Sequence, residues 1–89
     1  MGMTEYQDML RSVSEDTLLA VMQVADRGQT VSVKNIAKMV LKDESVVHCI
    51  PTMPALDDIE DIVVAAAERW GFAVVPQDGE RVVVRVGDW

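Results

Sequence analysis

The feature that most constrains the fold is the segment 56–86, in which the hydrophobic period changes from that of a helix to that of strands. Its first apolar residues recur at steps of three and four: Leu56, Ile59, Val63, Ala66 and Trp70. This spacing predicts one buried face of an α-helix over Leu56 to Trp70, and Gly71 supplies its end. Two valine-rich runs, 72–75 and 82–86, then flank Asp78-Gly79, a pair that favours a type I′ turn. The segment therefore predicts a helix followed by a β-hairpin.

The turn also predicts which hairpin residues share a face. It pairs Val75 with Val82, and we expect that face to point into the core. This predicted core face consists of Ala73, Val75, Val82, Val84 and Val86. The other face then carries Phe72, Val74 and Val83 beside Arg81 and Arg85. A two-layer domain of this size covers one face of its sheet, so we expect the second face to be exposed apolar surface, with Trp89 near it.

The N-terminal half predicts further helix. Thr4 with Gln7 and Ser12 with Glu15 have capping-box spacing, and Gly28 is a plausible stop. Either one long helix or two helices with a kink between Ser12 and Ser14 fits. On one side of this helix fall Tyr6, Met9, Leu10, Val13, Thr17, Ala20, Val21 and Val24; Leu18, Leu19 and Met22 add apolar surface on the other.

The middle of the chain predicts a short strand and a second helix. Thr30-Val31 suits a strand, and Ser32 is placed to cap a helix over residues 33–42. The expected buried face of this helix is Val33, Ile36, Ala37 and Val40. The conformation of residues 43–54 stays open, because Val46, Val47 and Ile50 fit a helical turn whereas Pro51 and Pro54 favour extended geometry just before them.

Composition limits the classes of function. The 89 residues suit a single domain, 1–89, with an N-terminal helical extension over 1–14 and a core over 15–86. The net charge of −7 disfavours binding to polyphosphates, although halophilic adaptation also produces such acidity. A lone cysteine, Cys49, suits the reducing cytoplasm. His48 and Cys49 have no further His or Cys to complete a zinc site, so we expect no metal, no cofactor and no enzymatic activity. No apolar run is long enough to span a membrane.

The order helix, short strand, helix, helix, hairpin resembles that of the winged helix-turn-helix superfamily. The resemblance rests on Ser32-Val33-Lys34-Asn35-Ile36-Ala37-Lys38, Ala67-Glu68-Arg69-Trp70-Gly71-Phe72 and Asp78-Gly79-Glu80-Arg81. It implies an α+β fold of three or four helices with a C-terminal β-hairpin wing. In DNA-binding members the third helix enters the major groove. Here the outward positions of that helix are Asp57, Asp61, Val64, Ala65 and Glu68, whose carboxylates would oppose phosphates.

We therefore expect a non-enzymatic module for protein–protein interaction, through self-association as a homodimer or docking to a basic partner. The expected contact residues are Asp57, Asp61, Val64, Glu68, Phe72, Val74 and Val83. The amphipathic segment 6–13 is a second candidate contact. The acidic residues also have a purely structural interpretation. Asp57 and Asp58 lie in the first turn of their helix, where negative charge complements the helix dipole.

The alternative is a DNA-binding transcriptional regulator that contacts phosphates through the second helix and the wing. Its candidate residues are Lys34, Lys38, Lys42, Arg81 and Arg85. The three lysines follow at steps of four, which places them on one helix face. The plainer interpretation of these charges is a solvated helix face and ordinary strand-edge residues.

Overall fold

A computed structural model describes residues 3–49 and 55–85 of the chain, which form helices and short strands. The elements in chain order are α1 (Met3–Val24), β1 (Thr30–Ser32), α2 (Val33–Leu41), α3 (Glu44–Cys49), α4 (Leu56–Arg69), β2 (Ala73–Gln77) and β3 (Glu80–Val84). The fold is α+β, as expected. The predicted core residue Val86 lies outside the described residues, as do Ile50, Pro51, Pro54 and Trp89.

The three strands form one antiparallel sheet in the order β1-β3-β2. Val75 pairs with Val82, which confirms the predicted register. Asp78 and Gly79 have φ angles of 53° and 80°, the two positive values that a type I′ turn requires. This turn matches the right-handed twist of the strands, so a two-residue connection suffices. The predicted strand at Thr30-Val31 is also present, paired with the second half of the hairpin.

The first helix is one continuous element. Its buried side chains follow steps of four through Leu10, Ser14, Leu18 and Met22. The predicted face was wrong in part, because Ala20 is exposed and Val24 is 83% exposed. This helix is apolar on more than one side, so its buried face is decided by its packing against α2 and α4, which periodicity alone does not reveal.

The second helix matches its prediction closely. Its buried residues are Val33, Ile36, Ala37 and Val40. Ser32 occupies the N-cap position with extended geometry (φ −64°, ψ 130°), but its side chain makes no capping hydrogen bond. The burial of this face, and not the cap, therefore stabilises the start of the helix.

The last helix buries Ile59, Val63, Ala66 and Ala67. Its predicted stripe is right at its centre and shifts at its ends, where Leu56 is half-buried and Trp70 is 37% exposed. Gly71 follows with a φ of 82°, and the Phe72 N–H donates to the Ala67 carbonyl at 2.9 Å. Gly71 therefore ends the helix in the predicted way, by a left-handed residue just after its last turn.

The segment that was left open contains a short helix, α3, directly after α2. The Asp43 carbonyl accepts hydrogen bonds from the N–H groups of Val46 and Val47, at 3.0 and 2.9 Å. Val46 is fully buried, whereas Val47 is 45% exposed. Val46 thus anchors this turn to the core. In the described ranges, no helix combines the length and hydropathy needed to cross a membrane.

Candidate interaction surface

The two faces of the hairpin are assigned the opposite way from the prediction. Val83 is fully buried, Phe72 is 7% exposed, and Val74 packs against the core cluster. Val75, expected inside, is 39% exposed. The expectation that Phe72, Val74 and Val83 form an exposed apolar face was therefore wrong.

The physical reason is the position of the helices on the sheet. Val31, Val83 and Val74 lie side by side across the three strands, and all three belong to or pack against the helical core. The turn fixes which residues pair, but it leaves open which side of the ribbon the helices cover. Val82 on the opposite face is nevertheless buried, at 7% exposure, between its partners Ser32 and Val75.

The outward face of α4 carries carboxylates, as predicted. The helix contains five acidic residues and one arginine. Its exposed side chains are Asp57, Asp58, Asp61, Ala65, Glu68 and Arg69. Val64, the remaining predicted contact residue, is half-buried and packs against the core, so it lies at the edge of this surface. We call Asp57, Asp58, Asp61 and Glu68 the acidic face.

Arg81 of the hairpin contacts this helix. Its Nη1 donates to Asp61 Oδ1 at 3.2 Å, and its Nη2 lies 3.8 Å from Glu60 Oε1. Arg81 has the same sheet orientation as the buried Val83, two positions along the strand, and this orientation directs it to the helical side. Asp57, Asp58 and Glu68 make no ion pair within the described part of the chain.

Other arginines are also engaged within the domain. Arg69 Nη1 donates to Glu15 Oε2 at 3.0 Å and so joins α4 to α1. Arg85 Nη1 donates to the backbone carbonyls of Gln23, at 3.4 Å, and Ala25. These carbonyls lie at the C-terminal end of α1, whose last turn has no basic residue of its own. Arg85 therefore provides the positive charge that this end of the helix favours.

The sequence reasoning placed Arg81 and Arg85 on an outward wing and missed both internal roles. One signal was present in the sequence: side chains alternate along a strand, so Arg81, Val83 and Arg85 must share a face. If Val83 is buried, both arginines lie on the helical side of the sheet. The contact of Arg85 with residues 60 or more positions earlier had no local signal.

Lys34, Lys38 and Lys42 are exposed on one face of α2 and its C-cap, as the spacing predicted. Within the described residues none of the three makes an ion pair. Of the residues predicted to contact phosphates, the three lysines are therefore exposed. Arg81 and Arg85 instead contact other parts of the domain.

Metal-binding geometry is missing from the part of the chain that is described: no three His, Cys, Asp or Glu residues come together there. The side chains of His48 and Cys49 lie outside the described residues. The predicted contact segment 6–13 lies within α1, where Leu10 is buried and Met9 and Val13 pack against the core, so its apolar side is used inside the domain. Tyr6 is not described at the side-chain level.

No protein-family model matches this chain, and no characterised protein or solved structure shows significant similarity to it.

Proposed function

We propose that this protein is a winged-helix-like, non-enzymatic module that docks onto a basic protein partner through the acidic face of α4. The fold assignment is supported by the order of helices and strands and by the sheet order β1-β3-β2, with the β2–β3 hairpin in the place of a wing. The docking surface consists of Asp57, Asp58, Asp61 and Glu68.

The observation that carries the proposal is the way the charges are distributed. Arg69 belongs to α4 but pairs with Glu15 on α1, whereas Arg81 of β3 pairs with acids at the flank of α4. Asp57, Asp58 and Glu68 therefore remain exposed and unpaired within the described residues. An acidic surface of this kind repels phosphates and steers a basic protein toward it. The helix that enters the groove in DNA-binding winged helices is here the most anionic element.

Affinity capture followed by mass spectrometry tests this function. We expect Asp57→Asn with Glu68→Gln to weaken capture of the basic partners that the wild-type protein retains. Asp16→Asn with Glu80→Gln is the matched control, because it removes two exposed carboxylates from other surfaces and changes the net charge equally. Equal capture by all three proteins would refute the acidic face as the docking surface.

A DNA-binding regulator is the second candidate, and the exposure of Lys34, Lys38 and Lys42 favours it. These side chains follow one face of α2 and make no ion pair in the described part of the chain. Such a surface predicts duplex binding that weakens steeply with added salt. It rests on fewer cations than the sequence suggested, because Arg81 and Arg85 are engaged within the domain.

A further inference from the structure

The outward side of α2 and its C-cap forms an exposed helix face with a regular row of positive charge. We call Lys34, Lys38 and Lys42 the lysine face. Its members are four residues apart, which separates neighbouring positions by about 6 Å along the helix axis. None of the three ammonium groups has a carboxylate partner within the described residues. The lysine face therefore suits an anionic surface on another molecule.

A large apolar side chain, Met39, lies beside this row. It is 50% exposed, and it is three residues before Lys42 and one helical turn after the exposed Asn35. An apolar centre with a charged and polar rim is typical of a contact between proteins. A phosphate backbone has no apolar surface to bury against Met39. The combination therefore favours a protein surface as the occupant of this helix face.

The acidic face of α4 has the complementary arrangement. Asp57 and Asp61 are four residues apart, as are neighbouring members of the lysine face. One further turn along α4 lies the exposed Ala65, and Glu68 follows three residues later. A short apolar side chain thus lies between carboxylates, and it leaves room for a longer apolar side chain such as that of Met39.

We propose that a second copy of this chain occupies the lysine face. The acidic face of one copy docks on the lysine face of the other, and Met39 packs near Ala65 inside a rim of opposite charges. This inference rests on the proposed function, because it takes the acidic face as the docking surface and identifies the basic partner. The charge complementarity of the two exposed helix faces carries it.

The net charge of −7 on each copy opposes association only at long range. At an ionic strength of about 0.1 M the Debye length is about 10 Å. Charges on distant parts of the two copies are then largely screened, whereas opposed side chains in direct contact still attract. The local complementarity of the two faces therefore decides the sign of the interaction.

The mass of the full chain in solution tests the contact. By sedimentation equilibrium, the wild-type mass should rise above the 9.8 kDa of one chain as the protein concentration is raised into the high micromolar range. Lys34→Glu with Lys38→Glu should raise the dissociation constant by more than about tenfold, because like charges then meet. Asp57→Lys with Glu68→Lys should do the same, and it leaves Asp61 paired with Arg81.

An equimolar mixture of these two double variants is the sharpest test. The new glutamates of one variant then face the new lysines of the other, and the unaltered faces also match, so the larger mass should return. Asp16→Lys with Glu80→Lys is the matched control. It changes the net charge as much as the α4 variant does, but at exposed positions on other surfaces, and it should self-associate like the wild type.

Met39→Gln tests the apolar centre without altering any charge. It should weaken self-association several-fold, and unchanged association would overturn the proposed contact. A wild-type protein with the mass of one chain at every concentration would also overturn the proposal, and that result requires no variant to fold. Association that survives in both double variants would do so as well. If the wild type stays monomeric but still captures foreign basic proteins through Asp57 and Glu68, the proposed function stands and this inference alone fails.

Discussion

Arg81 Nη1 on β3 lies 3.2 Å from Asp61 Oδ1 on α4, and this contact joins the hairpin to α4. The pair is partly exposed, with 42% of the Arg81 side chain and 72% of the Asp61 side chain accessible. It therefore orients the hairpin against α4 while water screens its energy. It also removes Arg81 from the set of cations available to an external phosphate.

A double-mutant cycle measures this contact. Arg81→Gln and Asp61→Asn should each lower the free energy of unfolding slightly, with a coupling energy of about 0.2–1 kcal/mol, as is usual for exposed pairs. Urea unfolding of the four proteins at low salt gives the value. A coupling indistinguishable from zero would mean that the ion pair does not hold the hairpin.

Removing the Ser14 hydroxyl should stabilise the folded domain. The side chain is fully buried, and its Oγ has no hydrogen-bond partner within the described residues. Ser14→Ala should raise the free energy of unfolding by about 1 kcal/mol, because it removes an unsatisfied polar group and improves helix propensity. The exposed Ser12→Ala should gain only about 0.5 kcal/mol, from propensity alone. Destabilisation by Ser14→Ala would show that the hydroxyl has a partner.

The assignment of the hairpin faces predicts unequal costs for two valines. Val83→Ala should lower the free energy of unfolding by about 2 kcal/mol, because Val83 is fully buried in the core. Val75→Ala should cost less than about 1 kcal/mol, because Val75 remains 39% exposed. Chemical denaturation compares the two, and the reverse order would restore the face assignment expected from the sequence.

The turn glycine Gly79 should resist substitution for backbone reasons alone. A Cβ added there meets nothing within 4 Å, but the φ angle is 80°. Gly79→Ala should therefore cost about 1 kcal/mol, the strain of a left-handed residue, and Gly79→Asn should cost less. Thermal unfolding of both variants is the measurement; equal stability of Gly79→Ala and wild type would contradict the type I′ turn.

Local patterns in the sequence predicted local structure well. The buried face of α2 follows from a helical period within nine residues, and the Val75–Val82 register follows from the two-residue turn. The end of α4 at Gly71 likewise needs only its neighbours. In each case the determining interactions span a few positions.

The predictions that failed depend on distant contacts. Which face of the hairpin is buried is decided by where α2 and α4 pack, and the period of a strand is the same for both faces. The roles of Arg81 and Arg85 depend on partners at least 20 positions away. A sequence-based interpretation therefore found the candidate acidic face on α4 but misplaced the apolar and cationic parts of the surface.

A titration of duplex DNA at low salt tests the central claim, that the acidic helix disfavours nucleic acid. We predict no detectable complex for the wild-type protein, and no change when Lys34, Lys38 and Lys42 are all replaced by Gln. A complex that weakens steeply with added salt and is lost in the triple variant would contradict the account and establish the lysine face as a DNA-binding surface.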